Sequence, residues 1–151
     1  MAKFDDSLVA VTSRSFSTNQ FLVKKLKESY PNVSLNLTGK TLKENELVKF
    51  LATADKAIVG IEIIDKDILD QLPKLKLISK YGVGLNNLDL DECKKRNIQI
   101  KFQPGSNKQS VAEFTLLLML NSLRQVHNNK TEIIEGNWTQ AKGQELKGKK
   151  M

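Results

Sequence analysis

The sequence has few of the residues on which several kinds of site depend. Its 151 residues include one cysteine, one histidine, one tryptophan and three prolines. A single cysteine, Cys93, excludes an internal disulfide and fits a reducing compartment. With His127 as the only histidine, the chain shows no cluster of His, Cys and acidic residues at metal-ligand spacing. We therefore expect no metal site.

Long apolar segments are also lacking. The longest continuous apolar run covers residues 116–120, whereas a membrane-spanning helix needs about 20 apolar residues. Near the N-terminus, Asp5 and Asp6 stand where a secretory signal would be apolar. These patterns predict a cytoplasmic protein that does not enter a membrane.

The positive charge of the chain is mostly lysine. Of 24 basic residues only Arg14, Arg96 and Arg124 are arginine, the residue that binds phosphates and guanine edges through two parallel hydrogen bonds. The lysines are scattered, and the densest patch covers residues 142–150. A net charge of +7 without such arginines bears on solubility rather than on a site. We expect no nucleic-acid partner.

Alternating strand and helix patterns organise the first two thirds of the chain. Short apolar runs predict five strands, at residues 8–12, 33–37, 57–59, 75–79 and 98–102. Amphipathic segments between them predict helices, one of which would start at the capping box formed by Thr41 and Glu44. Strands separated by helices imply a parallel sheet covered on both faces. We predict an α/β, flavodoxin-like domain over residues 1–104, with strand order 2-1-3-4-5.

A long helix is predicted in the remaining segment, residues 105–151. Ser110 and Glu113 form a capping box at its start, and Ser106 with Gln109 offers a competing cap one turn earlier. The start of such a helix binds anions through its free N–H groups, or these residues only cap a core helix. Both readings stay open at this point.

The body of this helix is apolar nearly all round over residues 114–120, and its apolar stripe continues to Val126. A helix of this kind is buried on more than one side. We expect it to pack against another domain or another subunit. Self-association through residues 114–123 follows as a prediction.

The loops after the strands carry the unusual residues. In doubly wound sheets ligands bind outside the carboxyl ends of the strands, near the point where the strand order reverses. That rule selects the loops at residues 13–18, 60–64, 81–87 and 103–110.

In the third of these loops, Gly82-Val83-Gly84 allows positive backbone dihedral angles and close approach of a ligand. Its N–H groups would hold a carboxylate, or the segment is a simple turn. It is not a dinucleotide fingerprint, because the sixth position is Asn87.

A family resemblance rests on these segments. The run Ile78-Ser-Lys-Tyr-Gly82-Val-Gly84, together with Gly136-Asn-Trp138 and Glu145-Leu-Lys-Gly148, resembles the D-isomer-specific 2-hydroxyacid dehydrogenases over nearly the whole chain. The opening Val11-Thr-Ser-Arg14 and the segment 60–65 look most like a phosphoglycerate dehydrogenase-like branch. The family usually carries aspartate where this chain has Asn86, which puts that residue's usual role in doubt.

The resemblance implies a substrate site for a small 2-hydroxy or 2-keto acid. The backbone amides of Val83 and Gly84 would bind the substrate carboxylate. Tyr81 and Gly82 would shape the loop. Arg14 would meet a distal anionic group of the substrate.

It also implies a nicotinamide cofactor, NAD or NADP, in the parent enzyme. Val83, Asn107 and Ser110 would lie near the nicotinamide, while the catalytic Arg, acidic residue and His of the family would follow Met151. His127 matches no catalytic position. We therefore assign no catalytic residue, and we expect no stable cofactor binding and no hydride transfer by this chain alone.

Two functions remain as hypotheses. The first is the substrate-domain portion of an NAD(P)-dependent D-2-hydroxyacid dehydrogenase that is homodimeric through residues 114–123, with a 3-phosphoglycerate-like substrate as one option. The alternative is a catalytically inactive flavodoxin-like module that binds a small carboxylate or a protein. Receiver-type signalling chemistry is disfavoured, because no acidic cluster follows the first strand.

Overall fold

The computed structural model describes residues 5–139 and 141–150. These residues group into two compact units, which divide between Gly105 and Ser106.

The first unit is built on one five-stranded sheet. Its strands have three or four residues each: β1 (Val9–Val11), β2 (Val33–Leu35), β3 (Lys56–Val59), β4 (Leu77–Lys80) and β5 (Gln99–Lys101). The order is β2-β1-β3-β4-β5, and every neighbouring pair is parallel. The predicted fold class and strand order are therefore confirmed.

Helices connect successive strands of this sheet. They are α1 (Arg14–Ser17), α2 (Gln20–Ser29), α3 (Glu44–Leu51), α4 (Lys66–Asp70) and α5 (Leu90–Lys95). The chain moves outward from β1 to β2 and then returns past β1 to β3. Because parallel crossovers are right-handed, this reversal puts α2 on one face of the sheet and the later helices on the other.

The core lies mainly on the face covered by α3, α4 and α5. Their apolar side chains pack on the central strands in one buried cluster that includes Leu47, Leu51, Leu69, Ile78 and Cys93. By contrast, α2 contributes no fully buried residue. The two faces of the sheet are thus unequally covered.

The predicted capping box at the start of α3 is wrong. The helix begins at Glu44 after the N-cap residue Lys43, which makes no side-chain capping bond, and Glu44 itself has a φ of 44°. The preceding segment is held by other contacts, since Leu42 is buried and the buried amide of Asn36 donates to the carbonyl oxygen of Lys40 at 2.9 Å. These contacts leave Thr41 outside the capping position.

The second unit contains α6 (Lys108–Arg124) and α7 (Val126–Ile134). Both predicted caps of the long helix are wrong. The N-cap residue is Asn107, and the side chain of Gln109 donates to Glu113 Oε1 at 2.8 Å, so that this carboxylate is bonded one turn into the helix.

The helix also ends earlier than its apolar stripe suggested. Gln125 adopts a left-handed conformation with φ 52° and ψ 38°, which stops α6 and starts α7. His127 therefore lies on a separate, exposed helix rather than on the tail of the long one.

The apolar side chains of α6 are exposed in the single chain. They include Val111, Phe114, Leu116, Leu117, Leu118 and Leu120, each between 42% and 58% exposed. This apolar surface of α6 is available to a partner. Among the described residues, no helix is long and apolar enough to cross a membrane.

Candidate substrate-binding site

A cavity lies at the carboxyl edge of the sheet, where β1, β3 and β4 end. Its volume is about 410 Å³, and its walls come from the loops after these strands and from one glycine of the loop after β2: Ser13, Arg14, Ser15, Thr18, Gly39, Gly60, Ile61, Glu62 and Tyr81. The strand order reverses between β1 and β3, so the cavity occupies the place where doubly wound sheets bind ligands. Three of the four loops selected from sequence contribute to it.

The wall after β1 is a one-turn helix rather than the predicted loop. The Ser13 side chain accepts a hydrogen bond from the backbone N–H of Phe16 at 3.4 Å and caps α1. Serine is a preferred N-cap residue, so the local signal for this helix was present in the sequence. The turn places the exposed Arg14 in the cavity wall, where its guanidinium donates to the carbonyl oxygen of Gly39 at 3.3 Å.

The opposite wall begins with Tyr81 at the end of β4. Its backbone N–H donates to the carbonyl oxygen of Val59 at 2.8 Å, which holds the start of the loop against β3. Gly82 then has a φ of 138°, a conformation that only glycine adopts readily. Neither Val83 nor Gly84 donates a backbone hydrogen bond to any part of the chain that the structure describes. Both N–H groups are therefore free to bind an external acceptor.

Sequence reasoning missed the residue that ties these walls together, Glu62. It is 2% exposed, whereas its neighbours Ile61 and Ile63 are each 66% exposed. One carboxylate oxygen, Oε2, accepts from the hydroxyl of Thr12 and from the N–H of Gly60, each at 2.8 Å. The signal in the sequence was a single acid inside an apolar run.

Two further side chains converge on the same loop. Lys80, the last residue of β4, donates through Nζ to the carbonyl oxygen of Gly60. Asn87 donates to that oxygen at 3.3 Å and to the carbonyl oxygen of Glu62 at 2.5 Å. Burial lowers the pKa of the Lys80 ammonium, and the negative charge of Glu62 opposes this change.

The remaining predicted residues lie in the second unit. Asn107 and Ser110 are exposed and belong to the start of α6. His127 is exposed on α7. Within residues 5–139 and 141–150, no group of three or more His, Cys, Asp or Glu side chains is placed to hold a metal ion.

This cavity is suited to a small anion with a polar body. It offers the Arg14 guanidinium and serine and threonine hydroxyls, next to a loop with two free amides.

Residues 9–147 match the family model described as D-isomer specific 2-hydroxyacid dehydrogenase, catalytic domain. The chain belongs to this family. The branch within the family is not decided by the match.

Named relatives support the assignment. The chain is 33% identical over 118 residues to a hydroxypyruvate reductase of Thermotoga maritima, an alignment that covers 76% of this chain and 39% of the relative. It is 30% identical over 111 residues to a D-3-phosphoglycerate dehydrogenase of Archaeoglobus fulgidus, covering 72% of this chain and 21% of the relative.

A solved structure of the family has the same fold. The D-lactate dehydrogenase of Aquifex aeolicus, complexed with NAD and lactic acid, superposes with a TM-score of 0.67 at 25% identity, over 92% of this chain and 41% of that one. In each of these comparisons the chain spans less than half the length of the dehydrogenase it matches.

Proposed function

We propose that this chain is the substrate-binding portion of an NAD(P)-dependent D-2-hydroxyacid dehydrogenase. The observation that carries the proposal is the pair of free backbone N–H groups at Val83 and Gly84, which follow Tyr81, a residue that lines the cavity together with Arg14. Successive backbone N–H groups that point the same way can hold a carboxylate. The relatives named hydroxypyruvate reductase and phosphoglycerate dehydrogenase support a small 2-hydroxy or 2-keto acid as the ligand.

In this proposal each predicted substrate residue has one task. The amides of Val83 and Gly84 bind the carboxylate, while Tyr81 and Gly82 set the course of the loop. Arg14 contacts the distal end of the substrate. Arg14 is the one arginine in the cavity lining. Its contribution to the affinity for a phosphorylated substrate therefore decides whether the phosphoglycerate dehydrogenase-like assignment holds.

Binding is tested by NMR titration of the purified chain with D-glycerate and, separately, with 3-phospho-D-glycerate. The two ligands share a carboxylate and a 2-hydroxyl group and differ in the phosphate. We expect saturable shifts of the Val83 and Gly84 amide signals with at least one of them. Shifts that do not saturate, or that avoid this loop, would contradict the proposal.

An Arg14→Met variant identifies the distal group. If Arg14 contacts a phosphate, the variant loses roughly tenfold or more in affinity for 3-phospho-D-glycerate, as expected for a charge-assisted hydrogen bond. Its affinity for D-glycerate should change much less. Lys27→Met is the matched control, because it removes one positive charge from the exposed face of α2. Equal losses for both ligands would contradict the phosphate assignment.

The cofactor proposed for the parent enzyme is NAD or NADP, and when bound it supplies the hydride. The residues present fit only part of such a molecule, because the chain contains no Gly-x-Gly-x-x-Gly segment for the pyrophosphate. Val83 is a proposed contact of the nicotinamide. Asn107 and Ser110 are, as a separate proposal, cofactor-binding residues.

No hydride transfer is expected from the 151-residue chain by itself. Reduction of a 2-keto acid needs a proton donor beside the carbonyl group, and the only histidine, His127, is exposed on α7. The assay is oxidation of NADH in the presence of hydroxypyruvate. Turnover by the purified chain would overturn this assignment.

We further propose that the chain forms a homodimer through residues 114–123. The apolar surface of α6 supports this, because uncovered leucines on one long helix favour association. In analytical ultracentrifugation at micromolar concentration we expect a dimer for the wild type and a monomer for Leu117→Lys. Leu37→Lys is the control, since Leu37 is 70% exposed on the first unit. A wild-type monomer would contradict the proposal.

We also propose a cytoplasmic location. The support is that the single cysteine is a buried free thiol, which fits a reducing compartment, where disulfides are rare. Fractionation of cells that carry the tagged natural protein tests this. Recovery with the membranes or outside the cell would contradict it.

A further inference from the structure

Glu62 is the one charged side chain that is buried among the described residues. Removing a carboxylate from water is costly unless its charge is compensated. The two hydrogen bonds that Glu62 accepts, from Thr12 and Gly60, compensate part of that cost.

A positive charge, that of Lys80, lies nearby. No direct hydrogen bond or ion pair joins the two side chains among the described contacts, but the Glu62 charge favours the ammonium form of Lys80 through space. Lys80 in turn donates to the carbonyl oxygen of Gly60. The two charges therefore bind opposite sides of one glycine, since Glu62 accepts from its N–H group.

Gly60 is a place where such bonds affect the shape of the cavity. A Cβ atom at this position would lie 3.2 Å from the Cβ atom of Ser13 and 3.4 Å from Glu62 Oε2. The loops after β1 and β3 thus approach each other closely at Gly60, where a side chain would be tight against Ser13. The two side chains that donate to the carbonyl oxygen of Gly60 stand at the two ends of the loop after β4. Lys80 directly precedes Tyr81, and Asn87 is the last residue of the loop.

We propose that Glu62 and Lys80 are a positioning pair that holds the backbone of Gly60, Glu62 at its N–H group and Lys80 at its carbonyl oxygen. The pair thereby sets the distance between the wall that carries Arg14 and the loop of residues 81–84. The inference rests on the proposed substrate site for its functional meaning. Neither residue needs to touch the substrate. Their task is to keep the two walls at the spacing that lets one small acid reach both.

The central test uses Glu62→Gln and Lys80→Met. The glutamine keeps an oxygen that accepts from Thr12 and Gly60 but removes the charge, and the methionine keeps much of the lysine's length but removes the ammonium. In both variants we expect amide hydrogen exchange at Gly60 and Tyr81 to be roughly tenfold faster, because Glu62→Gln replaces a charge-assisted hydrogen bond by a weaker neutral one and Lys80→Met removes the hydrogen bond to the Gly60 carbonyl oxygen. The double variant should exchange no faster than either single variant, because both side chains bind the backbone of one residue, Gly60.

Two controls separate positioning from general loss of stability. The N–H group of Lys76 donates to the carbonyl oxygen of Asp55 at 2.8 Å, at the opposite edge of the sheet, and its exchange should not change. Thr12→Val removes one hydrogen bond to Glu62 without removing charge. It should leave the NMR titration of the Lys80 ε-methylene as in the wild type, whereas Glu62→Gln should move that titration to lower pH.

The outcomes distinguish this inference from the proposed function. If wild-type chain binds neither D-glycerate nor 3-phospho-D-glycerate, the proposed function fails, but exchange and titration still report on the pair. If it binds, both variants should weaken binding roughly three- to tenfold, since the walls lose their spacing.

The positioning role is overturned by any of three results. These are an unchanged Lys80 titration in Glu62→Gln, additive exchange effects in the double variant, or equal acceleration at Lys76. If Glu62→Gln does not fold, the exchange comparison in Lys80→Met decides, because that side chain is only partly buried.

Discussion

Phe16 and Tyr81 meet edge to face, with ring centroids 5.3 Å apart and an angle of 84° between the ring planes. Phe16 lies on α1 and is buried, while Tyr81 follows β4 and is 40% exposed. The pair therefore joins the loops of two strands that are not neighbours in the sheet. The pair thus links the two walls of the cavity, one formed by α1 and the other by the loop after β4.

This pair should be measurable in a double-mutant cycle with Phe16→Leu, Tyr81→Leu and the double variant. Aromatic pairs of this geometry contribute about 0.5–1.5 kcal/mol beyond their buried area. We expect a coupling free energy in that range from urea unfolding followed by circular dichroism. Strictly additive losses would mean that the two rings are adjacent without stabilising each other.

Gly82 and Gly84 should respond differently to alanine. Gly82 has a φ of 138°, and an added Cβ atom there would meet only Lys80 Cε at an ordinary contact distance of 3.9 Å, whereas one at Gly84 would lie 3.2 Å from Asn86 Oδ1. We expect Gly82→Ala to lower the free energy of unfolding by about 1–3 kcal/mol through backbone strain. Gly84→Ala should cost less than about 0.5 kcal/mol, because the exposed Asn86 side chain can move. Urea unfolding of both variants tests the ordering, and equal costs would contradict it.

The contact between Asp5 and Lys56 should appear in the acid dependence of stability. The hydrogen bond from Lys56, with further bonds from Ser7, holds the pKa of the Asp5 carboxyl well below its ordinary value. A lowered folded-state pKa stabilises the fold above the unfolded-state value of about 3.9, and this stabilisation is lost as the pH falls below that value.

The measurement is the free energy of unfolding between pH 7 and acid for wild type and Asp5→Asn. We expect the wild type to be more stable at neutral pH and the difference to shrink on acidification. Asp6→Asn is the control, since the exposed Asp6 carboxylate makes no hydrogen bond or ion pair among the described contacts. A difference that stays constant with pH would contradict the assignment.

Cys93 should react slowly in the folded chain. Its side chain is the fully buried residue of α5, and burial raises the pKa of the thiol. Because the thiolate is the reactive form, alkylation by iodoacetamide needs both opening of the structure and deprotonation. We expect a rate at least roughly a hundredfold below that in denaturing urea. Comparable rates in both conditions would mean that α5 opens readily.

Much of the fold could be predicted from local patterns. The five apolar runs predicted all five strands, and the helices between them implied parallel crossovers. The order 2-1-3-4-5, predicted as that of a flavodoxin-like domain, is the order of the sheet. Helix starts were predicted less well. Thr41 and Ser110 fit capping-box patterns, but neither is the N-cap residue of a helix. In the structure Asn36 donates to the carbonyl oxygen of Lys40, and Gln109 donates to the Glu113 carboxylate. These hydrogen bonds depend on the course of the backbone, which the spacing of residues does not specify.

The sequence by itself determined the class of the sheet, its connections and the loops that reach the cavity, because these follow from periodicity, from glycine and from the handedness of crossovers. Tertiary structure alone decided that Glu62 is buried while Ile61 and Ile63 are exposed. It also decided that Lys80 and Asn87 bind one carbonyl oxygen, that of Gly60. The reason is physical: burial of the Glu62 carboxylate needs hydrogen-bond partners, and one of them, Thr12, lies 50 residues away in the sequence and reaches Glu62 only when the sheet has formed.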